Sequence, residues 1–249
     1  MTNFLRYLFL TITIAFLLES CQKQIDIYKS ASLSDYFNPT IGHFIEYRLD
    51  STVFIYYGQR DTVIKYRAKD VVEAAITDNL GQPSYRVVRY LSDTNGVSPW
   101  VPAATFMVTP TTNCLEVVDN NLRFQKLRLP VTNGFSWKGN TYFDTYSIGS
   151  NVRFMDNWEY MYKDIHQPFT VWNNKVVDST LTIDHKDETI GFPNDRNSYS
   201  ERTFSNEVYA KGIGLIAKNI LHWEYQPPNG ANPGFKTGYG IKLTMIRHQ

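Results

Sequence analysis

The fold is decided by the stretch Val63–Ile76, which reads VIKYRAKDVVEAAI. From Ile64 to Ile76 every second residue is apolar apart from Asp70, and most of the charge lies on the residues between them. This period of two predicts a strand with one buried face and one wet face, as in antiparallel sheets. Because Asp70 interrupts the apolar face, we predict a bulge or a break into two strands at that residue.

The same alternation recurs on both sides of this stretch. Ile45, Tyr47 and Leu49 share one face before it, and residues 177–184 and 241–248 alternate after it. In residues 215–225 the odd-numbered apolar positions are predicted to share one face, with Lys218, His222 and Glu224 on the other.

These patterns predict an all-β domain, since residues 21–249 sustain no helical period over three turns. We expect an antiparallel curved sheet or barrel of lipocalin or half-barrel type, or a two-layer sandwich. The predicted organisation is a signal peptide over residues 1–20, a lipidated tether over 21–36 and a single β domain over 37–249. Two similar halves meeting near residues 120–134 are the alternative.

The first twenty-one residues predict where the protein is located. A basic Arg6 precedes an apolar run from Tyr7 to Leu18, which is too short for the roughly 20 apolar residues of a membrane span. The run ends at Leu18-Glu19-Ser20-Cys21, where Glu19 departs from the small residue that a lipobox prefers. We interpret the segment as a bacterial lipoprotein signal with Cys21 as the lipid anchor.

Acylation at Cys21 has two consequences. Two or three acyl chains hold a protein firmly at a membrane, so no transmembrane helix is needed. Gln22 follows the cysteine in place of Asp, which favours the outer membrane and leaves the periplasmic or surface leaflet undetermined. The second cysteine of the chain, Cys114, is then left without an intramolecular partner, and we expect it to be buried.

The composition limits the classes of binding partner that can be expected. The formal charge of +1 provides no basic footprint for nucleic acid, so the membrane is the one partner predicted, through the N-terminal lipid. Aromatic residues make up 15% of the chain and suit either strand packing or a binding face for flat ligands.

Two segments carry a family resemblance. Residues 121–140 read NLRFQKLRLPVTNGFSWKGN, and Glu207–Ile216 reads EVYAKGIGLI. With the lipobox, they resemble an uncharacterised family of Bacteroidetes envelope lipoproteins. The resemblance implies an envelope location and a β-rich fold, and it transfers no catalytic residue. Gly212 and Gly214 suit a kink or bulge better than a phosphate loop, because an alternating strand follows them and not a helix.

No pattern predicts a catalytic, cofactor or metal site. The cluster Asp184–Glu188 lacks the spacing of a calcium loop, and the five histidines show no zinc spacing. Scattered carboxylates such as Glu46, Asp144 and Glu159 would form a glycosidase pair only if the fold brought them together. Most of the five tryptophans are expected in the core, and the long Gln226–Gly238 loop is expected to be an exposed connector.

The sequence therefore favours a lipid-anchored, non-enzymatic envelope protein whose β scaffold binds an unknown ligand or serves a structural role. The alternative is a hydrolase acting on envelope or extracellular polysaccharide. A ligand-binding scaffold should contain a concave apolar cavity or an exposed aromatic patch.

Overall fold

The computed structural model describes residues 31–249. Twelve strands and three single-turn 3-10 helices make up this part of the chain, and it contains no α-helix. The 3-10 helices are Leu33–Asp35, Arg153–Met155 and Trp172–Asn174. The strands are β1 Phe44–Ile55, β2 Arg60–Thr77, β3 Pro83–Ser92, β4 Val101–Pro110, β5 Cys114–Asp119, β6 Leu122–Arg128, β7 Ser136–Trp137, β8 Tyr160–Thr170, β9 Val176–Gly191, β10 Ser200–Ala210, β11 Gly214–Gln226 and β12 Phe235–His248.

All twelve strands belong to one antiparallel sheet. The order is β6-β5-β4-β3-β2-β1-β12-β11-β10-β9-β8-β7, so each half of the chain forms a six-stranded meander, and the two meet where β1 pairs with β12. The predicted all-β antiparallel fold is confirmed, and it takes the form of a nearly closed, barrel-shaped sheet. The two-layer sandwich is not observed among the described residues.

Bonds between the two outer strands draw the sheet into a barrel. The backbone N–H of Gln125 on β6 donates to the carbonyl of Gly139, just beyond β7, at 2.9 Å. The Trp137 indole donates back to the Gln125 carbonyl at 2.8 Å, and the Tyr162 hydroxyl bonds the backbone of Arg128. These contacts cover sheet edges that would otherwise present unpaired backbone groups.

The bulge predicted at Asp70 lies elsewhere. Asp70 stays in register with Ile45 and with Arg89, and the register of β2 shifts between Val72 and Ala74 instead. Asp70 faces the barrel interior without breaking the ladder because the Arg89 guanidinium binds both of its carboxylate oxygens, at 2.6 Å each. A buried charge is tolerated when it is paired and hydrogen-bonded.

The faces predicted for residues 215–225 are also wrong. Leu215 and Lys218 both face the barrel interior although they are three residues apart. The register between β10 and β11 shifts at Val208/Tyr209 and leaves Ile216 out of the ladder. An extra residue in one strand moves all later side chains to the opposite face, so Lys218, Ile220 and His222 face inward.

Aromatic side chains fill the interior. The main cluster includes Trp137, Tyr160 and Tyr162, with Trp137 and Tyr162 ring centroids 4.7 Å apart. At one end of the barrel the segment 138–159 covers the opening, and Phe154 stacks on His222 with centroids 4.1 Å apart. Tyr36, in the chain that leads into β1, is fully buried in the same cluster.

Candidate functional site

The barrel encloses a cavity of about 330 Å³ at the end opposite the segment 138–159. Its mouth is formed by the chain leading into β1, the β10–β11 turn and the C-terminus, through Phe37–Thr40, Gly212–Gly214 and His248–Gln249. Ligand pockets span about 300–1,000 Å³, so this one suits a small ligand.

One side of the cavity is apolar. Its wall comes from inward-facing residues of β1 to β5 and β11, namely Ile45, Val72, Val87, Phe106, Val108, Leu115, Val117 and Leu215. Each lies at an alternate position of its strand, which is why the wall is continuous from strand to strand.

The other side carries six ionisable residues, which we call the charged layer. Its members are Asp70, Arg89, Asp119, Lys126, Glu207 and Lys218. Three are cations and three are carboxylic acids, so their formal charges balance.

Glu207 is the most deeply buried member of the charged layer, with 2% of its side chain exposed. Lys126 on β6 donates to its Oε1 at 2.8 Å, and the Tyr209 hydroxyl donates to its Oε2 at 3.0 Å. Lys218 on β11 places its Nζ 3.8 Å from Oε1, too far for a hydrogen bond. Three strands thus meet at one carboxylate.

The surroundings shift the pKa values of these groups. Burial alone would raise the pKa of Glu207, but the ammonium groups of Lys126 and Lys218 and the hydrogen bond from Lys126 lower it, and the carboxylate is ionised. Burial, together with the neighbouring Lys126 charge, lowers the pKa of Lys218. Burial raises the pKa of Tyr209 well above its usual range, so its hydroxyl keeps its proton.

Tyr47 completes this side of the cavity. Its hydroxyl donates to the Leu215 carbonyl at 2.8 Å, and burial raises its pKa well above the usual range. The phenol is therefore a fixed neutral donor and is not a candidate general base.

Below the cavity two histidines are held neutral. Burial lowers the pKa of His185 to about 3, and its Nδ1 lies 2.9 Å from the Ser205 hydroxyl. Burial also lowers the pKa of His222, whose Nδ1 lies 3.0 Å from the Thr203 hydroxyl. Neither histidine lines the cavity, so both pairs serve packing.

A second hollow of about 680 Å³ lies between the irregular end of β8 and strands β9 to β12. Hydroxyl, amide and charged side chains line most of it, including Thr180, Asn206 and Asn219, and the exposed pair Lys163–Asp184 stands at its edge. It lacks the continuous apolar wall that makes the smaller cavity the stronger candidate.

The carboxylates considered from sequence do not form a pair. Glu46 is held by Arg67 and Arg247, each at 2.7 Å, Asp144 caps the turn at Ser147, and Glu159 accepts from the Ser136 hydroxyl. None of the three lines either cavity.

The Asp184–Glu188 cluster lies in strand β9, and no group of three side chains that could hold a metal ion occurs in residues 31–249. Gly212 and Gly214 form the β10–β11 turn with φ of +72° and +107°, where residues other than glycine are strained. They therefore shape the cavity mouth.

Two of the five tryptophans lie in the core, fewer than the sequence predicts, and none of the five lines the cavity. Trp137 and Trp158 are buried in the core, and Trp172, Trp100 and Trp223 pack beneath Arg48, Lys69 and Lys236. The loop 227–234 is an exposed connector between β11 and β12.

Of the two cysteines, only Cys114 lies within the residues that the structure describes. Cys21 and the signal peptide lie outside the described residues. Cys114 is buried and free, and burial raises its pKa despite its contact with the Thr111 hydroxyl.

No helix within the described residues is long and apolar enough to cross a membrane. Comparisons with protein-family models, with curated proteins and with solved structures find no match to this chain. The fold and the cavity thus define its class: a twelve-stranded, barrel-shaped protein with an internal, partly apolar binding space.

Proposed function

We propose that the protein is a lipid-anchored envelope protein whose barrel binds a small, largely apolar ligand without transforming it. The cavity of about 330 Å³ carries this proposal, since it combines a continuous apolar wall with a few fixed polar groups. Sites for small molecules have this composition.

The anchor and the cavity are compatible in their placement. The chain enters the barrel beside the cavity mouth, where Phe37–Thr40 line the rim. Ala31 is ten positions after Cys21, a reach of at most about 35 Å at 3.3–3.6 Å per residue. A lipid on Cys21 would therefore hold the mouth near the outer membrane, where apolar ligands concentrate.

The hydrolase alternative draws no support from the cavity. A glycosidase needs one carboxylic acid that is protonated near neutral pH beside a second carboxylate. Glu207 is held ionised by its cationic neighbours, and Asp70 accepts both of its bonds from Arg89.

Binding can be tested with an uncharged apolar dye such as Nile red. We expect a saturable rise in fluorescence with the wild type and its loss in Val108→Trp, because Val108 is buried in the cavity wall. The matched control is Val97→Trp, at a side chain that is 82% exposed on a distant turn. Equal dye binding by the two variants, or none by the wild type, would overturn the proposal.

The anchor has its own test. Radiolabelled acyl chains should be incorporated into the wild type and lost in Cys21→Ala. Labelling that persists in the variant would contradict the assignment of Cys21. Native mass spectrometry of the protein lacking residues 1–21 would show whether a ligand co-purifies.

A further inference from the structure

In the charged layer and the two tyrosines beside it, most hydrogen-bonding groups are engaged with one another or with the backbone. Arg89 donates twice to Asp70, Lys126 donates to Glu207, and the hydroxyls of Tyr47 and Tyr209 donate to Leu215 and Glu207. A ligand that bonded to any of these would have to break an existing bond in a desolvated site.

Two members of the charged layer, Lys218 and Asp119, have no hydrogen-bond partner among residues 31–249. Within the described residues, the Lys218 ammonium makes no hydrogen bond, and its nearest carboxylate oxygen is 3.8 Å away. The Asp119 side chain, at the end of β5, likewise accepts no hydrogen bond from residues 31–249. Both line the cavity, so the charged layer offers one open donor and one open acceptor. The other unbonded polar side chains of the lining belong to the chain segments that form the mouth, namely Asn38, Thr40, His43, His248 and Gln249.

The charges of the layer limit what can bind there. Its three cations, Arg89, Lys126 and Lys218, balance its three carboxylic acids, Asp70, Asp119 and Glu207. A ligand carboxylate at Lys218 would approach Glu207, whose Oε1 lies 3.8 Å from the same Nζ, and would leave the layer with an unbalanced negative charge. An amine at Asp119 would leave an unbalanced positive charge near the same lysines. Like charges in a poorly hydrated site disfavour each other strongly.

From this balance we propose that the natural ligand is an uncharged amphiphile with an apolar body and a terminal hydroxyl group. A hydroxyl can accept from Lys218 or donate to Asp119, and it adds no charge in either case. The apolar body then lies along the wall formed by residues such as Val87, Phe106 and Val108. This inference rests on the proposed function, because it specifies the ligand of the same cavity.

The test compares three compounds that differ only in the head group: decanol, decanoate and decylamine, each displacing Nile red at pH 7. We expect decanol to bind the wild type at least tenfold more tightly than either charged compound. Tightest binding of decanoate would overturn the proposal, and so would equal binding of all three, since the head group would then not reach the charged layer.

Two variants change the charge of the layer in opposite directions. Lys218→Met makes the layer net negative, so we expect weaker decanol binding and a gain for decylamine of about tenfold. Asp119→Asn makes it net positive, and decanoate should gain by a similar factor. If head-group preference does not change in either variant, Lys218 and Asp119 are not the head-group site. Lys218→Gln serves as a second variant if Lys218→Met does not fold.

The two proposals fail in different ways. Nile red binding measures the cavity alone, so its absence from the wild type would remove the proposed function. Normal dye binding together with the wrong head-group order would remove only the inference about the hydroxyl group.

Discussion

Replacing Lys126 with methionine should destabilise the barrel by about 3 kcal/mol. The substitution keeps the length of the side chain and removes the ammonium that lies 2.8 Å from Glu207 Oε1. Glu207 is then a buried carboxylate, with 2% of its side chain exposed, whose strongest partner is gone. Removing one partner of a buried ion pair costs about 3–5 kcal/mol, and Lys218 at 3.8 Å places the expected cost at the lower end.

The assay is urea unfolding at pH 7, followed by tryptophan fluorescence, on a set of four proteins. These are the wild type, Lys126→Met, Glu207→Leu and the double variant. Because the double variant removes one cation and one carboxylate together and keeps the layer balanced, its loss should be smaller than the sum of the two single losses by about 2 kcal/mol or more. The matched control is Arg86→Met, which breaks the ion pair between Arg86 and Glu73, whose side chains are 48% and 38% exposed. It should change the free energy of unfolding by less than about 1 kcal/mol.

Two outcomes would refute this reasoning. If Lys126→Met unfolds within about 0.5 kcal/mol of the wild type, Glu207 is not a buried carboxylate that depends on its lysine. If the two single losses add, the side chains do not interact across the barrel, and the charged layer as described is wrong.

Three further predictions concern stability and orientation. Burial lowers the pKa of His185 to about 3, so below pH 6.5 this histidine binds a proton in the unfolded chain and not in the folded one. Urea titrations should therefore show a fall of about 2 kcal/mol in the free energy of unfolding between pH 6.5 and 5, and His185→Gln should not show it. Gly238→Ala should cost more than about 2 kcal/mol, since its φ is +135° and a Cβ would lie 2.1 Å from a backbone oxygen, whereas Gly149→Ala meets nothing within 4 Å and should be nearly neutral. In acylated protein on vesicles, a quencher in the bilayer should reduce the fluorescence of a label at Leu80, on the β2–β3 turn at the mouth, more than that of a label at Val97, at the opposite end. The reverse order would contradict the proposed orientation.

The strands could be predicted because their signal is local. Alternation over Val63–Ile76 indicates a half-buried strand whatever lies beside it, and β2 does span Arg60–Thr77. The register irregularities could not be predicted in the same way. Asp70 looks like an interruption until Arg89, nineteen residues later, is placed opposite it.

The candidate site was missed for a related reason. Lys126 and Glu207 are 81 residues apart, and they meet only because the sheet curves until β6 faces β10 across the interior. Alternation in β11 predicts Lys218 on the face opposite Leu215, because nothing in the sequence marks Ile216 as the unpaired residue. One signal was available: Lys126 shares the alternating face of Leu122 and Phe124, and a lysine on an otherwise apolar face needs a buried partner.

The position of the charged layer is itself informative about function. Elsewhere in the barrel the interior is packed with rings such as Trp137 and Tyr160. A buried ion pair stabilises a protein no better than apolar residues of similar volume, so packing alone does not explain three cations and three carboxylic acids at one place. They coincide with the space that is not filled, and two of them, Lys218 and Asp119, have bonding capacity left over. An apolar space beside fixed, nearly satisfied polar groups is what a binding site for an amphiphile requires, and it is a poor solution to the problem of filling a barrel.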